Sequence, residues 1–263
     1  MSVSCIFRRQ ASRSEARRGL LRFSCDFVSR KFVAFAALLY FTIFAYMYIF
    51  ARGAYFSTIE HYQFGVWKYP FLDFEAIPAA LECWSRGINV YVNNPCDSLG
   101  RSGVYSPIWL WLPVLPTGAW WTGFYGTCIA LGLCVALTVL PPVGGLRNRL
   151  ILLAAVVSPH VVFAVERANS DVIIFIGTAI FLLLYERSPQ LRIASYALAL
   201  LLGLMKWYPM TVLALALRER LRIFLAVATI SFIAFGMFIG GLGGLLPAVR
   251  ASRMEIIAAV KRR

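Results

Sequence analysis

Charge is what this chain has least of. Only 14% of its 263 residues are charged and 60% are hydrophobic, against roughly 25% charged in a soluble domain. Folding alone cannot hide that much apolar surface from water, so an ordinary soluble domain is excluded. Acids are scarcest: 12 Asp and Glu stand against 26 Lys and Arg, and histidine occurs twice. His61 and His160 lie far apart, and no Cys/His spacing resembles a zinc site. No required metal and no cofactor is expected. His160, after Pro159 in an apolar run, fits a satisfied core histidine as well as a functional one.

The formal net charge of +14 raises the question of nucleic acid. Its distribution answers it. The densest basic stretch runs from Arg8 to Lys31, directly before the first apolar run. That is the positive-inside signature, which holds the N-terminus in the cytoplasm. No nucleic-acid partner is expected. The first apolar run is too long for the core of a cleavable signal peptide and lacks a small-residue cleavage site.

Long uncharged runs mark bilayer spans. The first covers residues 32–50. A polar segment, residues 51–106, follows and lies outside by orientation. The stretch "PIWLWLPVLPTGAWW" is broken by three prolines and reads as a half-helix dipping into the outer leaflet. A span over 121–140 ends at a turn with Arg147 and Arg149, which suits the cytoplasm. Residues 150–165 and 172–185 form a pair of spans joined outside by a polar link. Residues 193–217 are apolar apart from "KWYP", and a last apolar run covers 222–246. Two topologies stay open for the last third. A straight helix over 193–217 puts Arg218, Arg220 and Arg222 outside; a helix broken at Lys206–Pro209 returns them inside. The expected architecture is all-α and polytopic, in three parts. Residues 1–31 form a basic cytoplasmic segment, 32–246 a transmembrane domain with outer loop 51–106, and 247–263 a basic amphipathic tail. The location expected is the cell inner membrane, multi-pass, with membrane lipids as surroundings.

Cys83 and Cys96 share the outer loop, an oxidising setting. A disulfide between them would restrain the loop by about 3 kcal/mol; two free thiols are the alternative. Cys128 and Cys134 sit in a span and act as small apolar residues.

Because acids are rare, their places are informative. Asp73 opens a stretch in which Ile77, Ala80, Leu81 and Trp84 recur at helical spacing, with Glu75 in the first turn. This predicts a short amphipathic helix on the membrane surface. The plainer role for Asp73 is an N-cap. A second cluster, Glu166-Arg167-Ala168-Asn169-Ser170-Asp171, stands at the mouth of two spans, where charge is costly unless used or solvated. The plainer account is a polar loop with Ser170 or Asp171 capping the next helix. A third is Lys206-Trp207-Tyr208-Pro209, whose lysine needs a partner or snorkels to the interface. Facing one cavity, Arg167 and Lys206 would make a phosphate site.

Two segments, "ERANSDVIIFIGTAIFLLLYER" and "ALALLLGLMKWYPMTVLALALRER", resemble the E-R-G-N-x-D and K-x-Y-P patterns of glycosyltransferase family 87. The outer-loop "LDFEAIPAALECWSRGINVYVNNPCDSLGR…YSPIWL" is similar to that family's first-loop section. The family's E-R-G-N glycine is Ala168 here, its Leu-Tyr after the lysine is Trp207-Tyr208, and the chain is expected to be a short or truncated member. The resemblance implies a C-type glycosyltransferase helix bundle. It would move a sugar, mannose or another hexose, from a polyprenyl-phosphate donor to a lipid or glycan acceptor at the outer (periplasmic or exterior) face, with inversion. Asp73 would be the general base. Arg167, Lys206 and Arg101 would bind the donor phosphate. Glu75, Glu166, Asn169, Asp171 and Tyr208 would support them. The alternative is a non-catalytic membrane protein, such as a carrier of lipid-linked sugars or an inactive homologue.

The topology yields the first test. An impermeant maleimide applied outside should label a cysteine placed at Asn94 and leave one at Ser14 unlabelled. The reverse pattern would move every outer-loop residue to the cytoplasm.

Overall fold

The computed structural model describes residues 31–62, 69–111, 116–140 and 145–240. Among them all regular structure is helical. The helices are α1 (Lys31–Phe50), α2 (Arg52–His61), α3 (Leu72–Ser85), α4 (Thr122–Val139), α5 (Leu146–Val156), α6 (Pro159–Glu166), α7 (Ser170–Tyr185), α8 (Pro189–Met205) and α9 (Leu221–Gly240). Three 3-10 segments accompany them, Pro107–Trp111, Ala119–Trp121 and Tyr208–Arg218.

Three helical stretches are long and apolar enough to cross a membrane: Lys31–Phe50, Ala119–Val139 and Leu221–Phe238. The α5–α6 pair, bent by 44°, makes a fourth if taken as one span. A helix suits this setting because it satisfies its own backbone where water is absent. The expected re-entrant half-helix is instead two short 3-10 turns, with residues 112–115 between them outside the described set. The basic segment before Lys31 and the tail 247–263 also lie outside it.

The chain forms two compact units. The first holds described residues up to Val104 and from 116 to Ile180; the second holds Tyr105–Trp111 and everything from Phe181. The division falls within α7.

In the first unit α3 is embedded. Leu72, Phe74, Glu75, Ile77, Pro78, Ala79, Ala80, Leu81 and Cys83 are all buried. The expectation of a helix draped by one face on the membrane surface is thus corrected: protein surrounds most of it, and Trp84 is exposed at its end. Phe74 meets Tyr125 of α4 with ring centroids 5.4 Å apart. The Phe71 ring lies flat against Gly126, where any Cβ would fall on it. Cys83 and Cys96 are joined in a disulfide, with Cα atoms 5.8 Å apart, as the shared oxidising loop suggested. The loop is folded tightly enough to bury Asn94 completely. Its exposed neighbour Asn93 is therefore the better labelling position.

In the second unit α8 stops at Met205, and Lys206 and Trp207 turn the chain into Tyr208–Arg218. The chain then runs back beside α8. Gly203 leaves space for Met210, whose side chain any Cβ there would strike. Phe181, Tyr196, Ala199 and Ala216 form one buried cluster. A straight helix would separate Ala199 from Ala216 by roughly 25 Å at 1.5 Å per residue. The broken form, one of two left open by charge counting, is the one observed. The returning segment is a 3-10 helix.

The contact at Gly126 is directly testable. Gly126→Ala should destabilise the protein by about 1–3 kcal/mol, because the new Cβ would fall on the Phe71 ring. Thermal unfolding in detergent measures this. An unchanged midpoint would mean that Phe71 swings away freely.

Candidate functional site

The site is built where two helix ends meet. α6 ends in a Schellman turn: the Ala168 N–H donates to Val165 O at 2.9 Å and the Asn169 N–H to Ala164 O at 2.8 Å. This turn needs a left-handed residue after the C-cap, and Ala168 supplies it at φ 48°. The next two carbonyls, Glu166 and Arg167, are left for other donors. The start of α3 takes them. The Phe71 N–H donates to Glu166 O at 2.6 Å, and the Phe74 N–H reaches Arg167 O at 3.3 Å. The orphan acceptors of one helix thereby find donors at the start of another, the Phe74 N–H being shared with Phe71 O at 3.1 Å. Their dipoles agree, negative end to positive end.

Phe71, itself left-handed at φ 68°, is the N-cap of α3. Asp73 is the second residue inside the helix, so the N-cap role once open to it falls away. Its carboxylate is partly exposed, at 30%, and Arg101 Nη1 stands 3.7 Å from Oδ1. That is an ion pair without hydrogen-bond contact. Arg101 itself is held firmly. Its Nε and Nη2 bond Asp97 at 3.0 and 2.7 Å, and Nη2 bonds Leu72 O at 2.8 Å. With a bidentate partner and a backbone tether, Arg101 is a positioning group for the start of α3, which weakens its candidacy as a phosphate ligand.

Glu166 and Arg167 face each other at 3.2 Å, Oε2 to Nε, and Tyr55 donates to Glu166 Oε1 at 2.9 Å. Arg167 is only 3% exposed and its guanidinium lies over the Phe163 ring. Burial pushes its pKa down, while the nearby charges of Glu166 and then Asp73 oppose that. Burial, and then the Glu166 charge, push the Tyr55 phenol up, so it serves Glu166 as a donor. Glu75 is fully buried and accepts from the Tyr69 hydroxyl and, at 3.1 Å, from the Ser98 N–H.

Beside this cluster runs an apolar groove of about 570 Å³, lined by α1, α4 and the end of α6. Phe41, Phe44 and Tyr48 form part of one wall, and Trp120 and Leu131 part of another. Tyr55, Phe71 and Glu166 contribute its polar groups and its border with α3. Asp73 is not on the wall; it follows two residues after Phe71.

Asp73, Glu75, Arg101, Glu166 and Arg167 are thus brought together in the first unit. Asn169 and Asp171 sit at the adjoining entry to α7. There Asn169 Oδ1 accepts from the Asp171 N–H at 3.0 Å, taking the capping role expected of Ser170 or Asp171. Lys206 and Tyr208 belong to the second unit. Lys206 is half-buried, and its N–H ends α8 on Leu202 O at 2.9 Å. The sequence reading missed Tyr55, Tyr69 and Asp97. Asp97 carried a signal in its spacing of four from Arg101, though it lies in a loop. Among the described residues no group of three or more His, Cys, Asp or Glu could hold a metal ion. The chain matches no protein-family model, no curated protein and no solved structure.

The Asp97–Arg101 pair gives a pH test. Burial alone would raise the Asp97 carboxyl, and its bonds with Arg101 more than reverse this, leaving its pKa below the ordinary value. Such an acid stabilises the fold above its unfolded pKa of about 3.9 and stops doing so as pH falls through the folded value. Asp97→Asn should therefore cost about 2 kcal/mol near neutral pH. The gap from wild type should close only below about pH 4. Closure near neutrality would assign the effect to another group.

Proposed function

We propose that the chain is a membrane glycosyltransferase that takes a hexose from a polyprenyl-phosphate donor and passes it, with inversion, to a lipid or glycan hydroxyl. The observation that carries this reading is the juxtaposition of the apolar groove with the charged junction of α3 and α6. A groove of about 570 Å³ lined by aromatic and aliphatic side chains suits a long isoprenoid chain. The junction beside it is rich in carboxylates, which accept hydrogen bonds from sugar hydroxyls.

In this reading Asp73 is the general base. It is partly exposed, on the first turn of α3, and Arg101 stands 3.7 Å away. It takes the acceptor proton as the hydroxyl oxygen attacks the anomeric carbon. The bond from that carbon to the donor phosphate breaks, and the lipid phosphate leaves with the electron pair. Arg167 supplies positive charge near the leaving group in a setting of low dielectric. Glu166, itself bonded by Tyr55, pairs with Arg167. Lys206 lies in the second unit, and the reading of the first unit does not require it.

One observation favours a second reading. Asp73, Glu75, Asp97 and Glu166 outnumber Arg101 and Arg167, so phosphate meets a carboxylate-rich neighbourhood. A carrier of lipid-linked sugars that binds without transfer would tolerate this better. The two readings separate in one experiment. With polyprenyl-phosphate hexose in membranes, Asp73→Asn should lower turnover on the order of 100-fold or more while donor binding largely survives. Wild-type binding without any transfer would support the carrier.

A further inference from the structure

Because the chain doubles back after α8, two arginine-bearing segments far apart in sequence come to one end of the second unit. Glu219 fixes the register: its Oε1 accepts from Tyr196 Oη at 3.1 Å and lies 3.4 Å from Arg192 Nη1. Arg187, just before α8, therefore shares an end with Arg218, Arg220 and Arg222. These four guanidinium side chains are exposed, and the exposed acid among them is Glu186. Glu219 is largely buried and occupied by Arg192 and Tyr196, so it does not neutralise them.

Arg222 sits in the first turn of α9, next to that helix's positive end, where a cation is disfavoured. Arg187 and Arg218 suit the C-terminal ends of α7 and of Tyr208–Arg218, yet both stay exposed there with Arg220 and Arg222. Such an end calls for anions from outside. Its surroundings say which. Leu191, Ile193, Leu221 and Leu225 are exposed on the same helices, and α9 continues as an apolar span with none of its window buried. A basic rim that gives way at once to exposed apolar helix matches the headgroup layer of a bilayer rather than a nucleic-acid groove.

We infer that Arg187, Arg218, Arg220 and Arg222 form a docking surface for anionic phospholipid headgroups in the cytoplasmic leaflet. The cytoplasmic side follows from the positive-inside bias and from the direction in which α7 enters this end. The surface is independent of any transferase activity. α9 then leaves from that leaflet.

The test uses the whole 263-residue chain in bilayers of phosphatidylcholine with or without phosphatidylglycerol. The basic N-terminal segment stays in place throughout. Native mass spectrometry should show phosphatidylglycerol retained over phosphatidylcholine. With all four arginines changed to glutamine the preference should fall on the order of tenfold or more, and with all four changed to lysine it should persist. If the fourfold glutamine protein does not fold, Arg187→Gln and Arg220→Gln singly should each lower the preference several-fold. An unchanged preference in the glutamine variants overturns the inference. Retention of a DNA oligonucleotide in place of lipid also overturns it. So does outside labelling, in intact cells, of a cysteine introduced by Gln190→Cys.

Discussion

The docking of the α6 C-terminus onto the α3 N-terminus is the constraint on which the first unit depends. Both partners are backbone. Of the two carbonyls left over by the Schellman turn, Glu166 O accepts the Phe71 amide, and Arg167 O shares the Phe74 amide with Phe71 O. Leaving such groups buried and unpaired would cost about 1–3 kcal/mol each. The pairing therefore sets where α3 begins. With the start fixed, Asp73 is placed near Arg167, and Phe71 is turned onto Gly126.

A strap then holds α3 along its length. The disulfide pins the loop to its C-terminal end through Cys83, and Arg101 pins the loop to its first residue through Leu72 O. Between these ties, Glu75 accepts the Ser98 N–H. In this strap the buried carboxylates Glu75 and Asp97 both have partners, as burial requires. Arg101 is shared between Asp97, which it grips with two nitrogens, and Asp73, which it meets at longer range.

Much of this was legible in the sequence, for physical reasons that also mark the limit. Hydropathy located α1, α4 and α9 because a bilayer span must be long and uncharged. Compartment and spacing gave the Cys83–Cys96 bond. Helical spacing found α3, but the apolar stripe from Ile77 to Trp84 could not reveal that its other faces are also covered. α2 went unseen because its residues show almost no one-sided periodicity. The junction between α3 and α6 was invisible in principle: its bonds run between main-chain atoms, which any residue provides. The turn at Lys206 was foreseen as one of two options. Charge counting could not choose, and the packing of Ala216 against Tyr196 and Ala199 does.

Among the described residues, Phe71 and Ala168 are the non-glycine positions with positive φ, at 68° and 48°. They stand on opposite halves of the same contact. A left-handed L-residue costs roughly 1–2 kcal/mol, and glycine would avoid most of it. Glycine is the residue most often found at the C′ position of a Schellman turn, where Ala168 stands. Here the strain is retained because the surrounding bonds over-determine the backbone. Ala168 is held by its own turn, and Phe71 by Glu166 O on one side and Gly126 on the other. Strain of this kind persists where a geometry is needed rather than merely allowed. Both strained positions thus lie in the contact that sets where α3 begins.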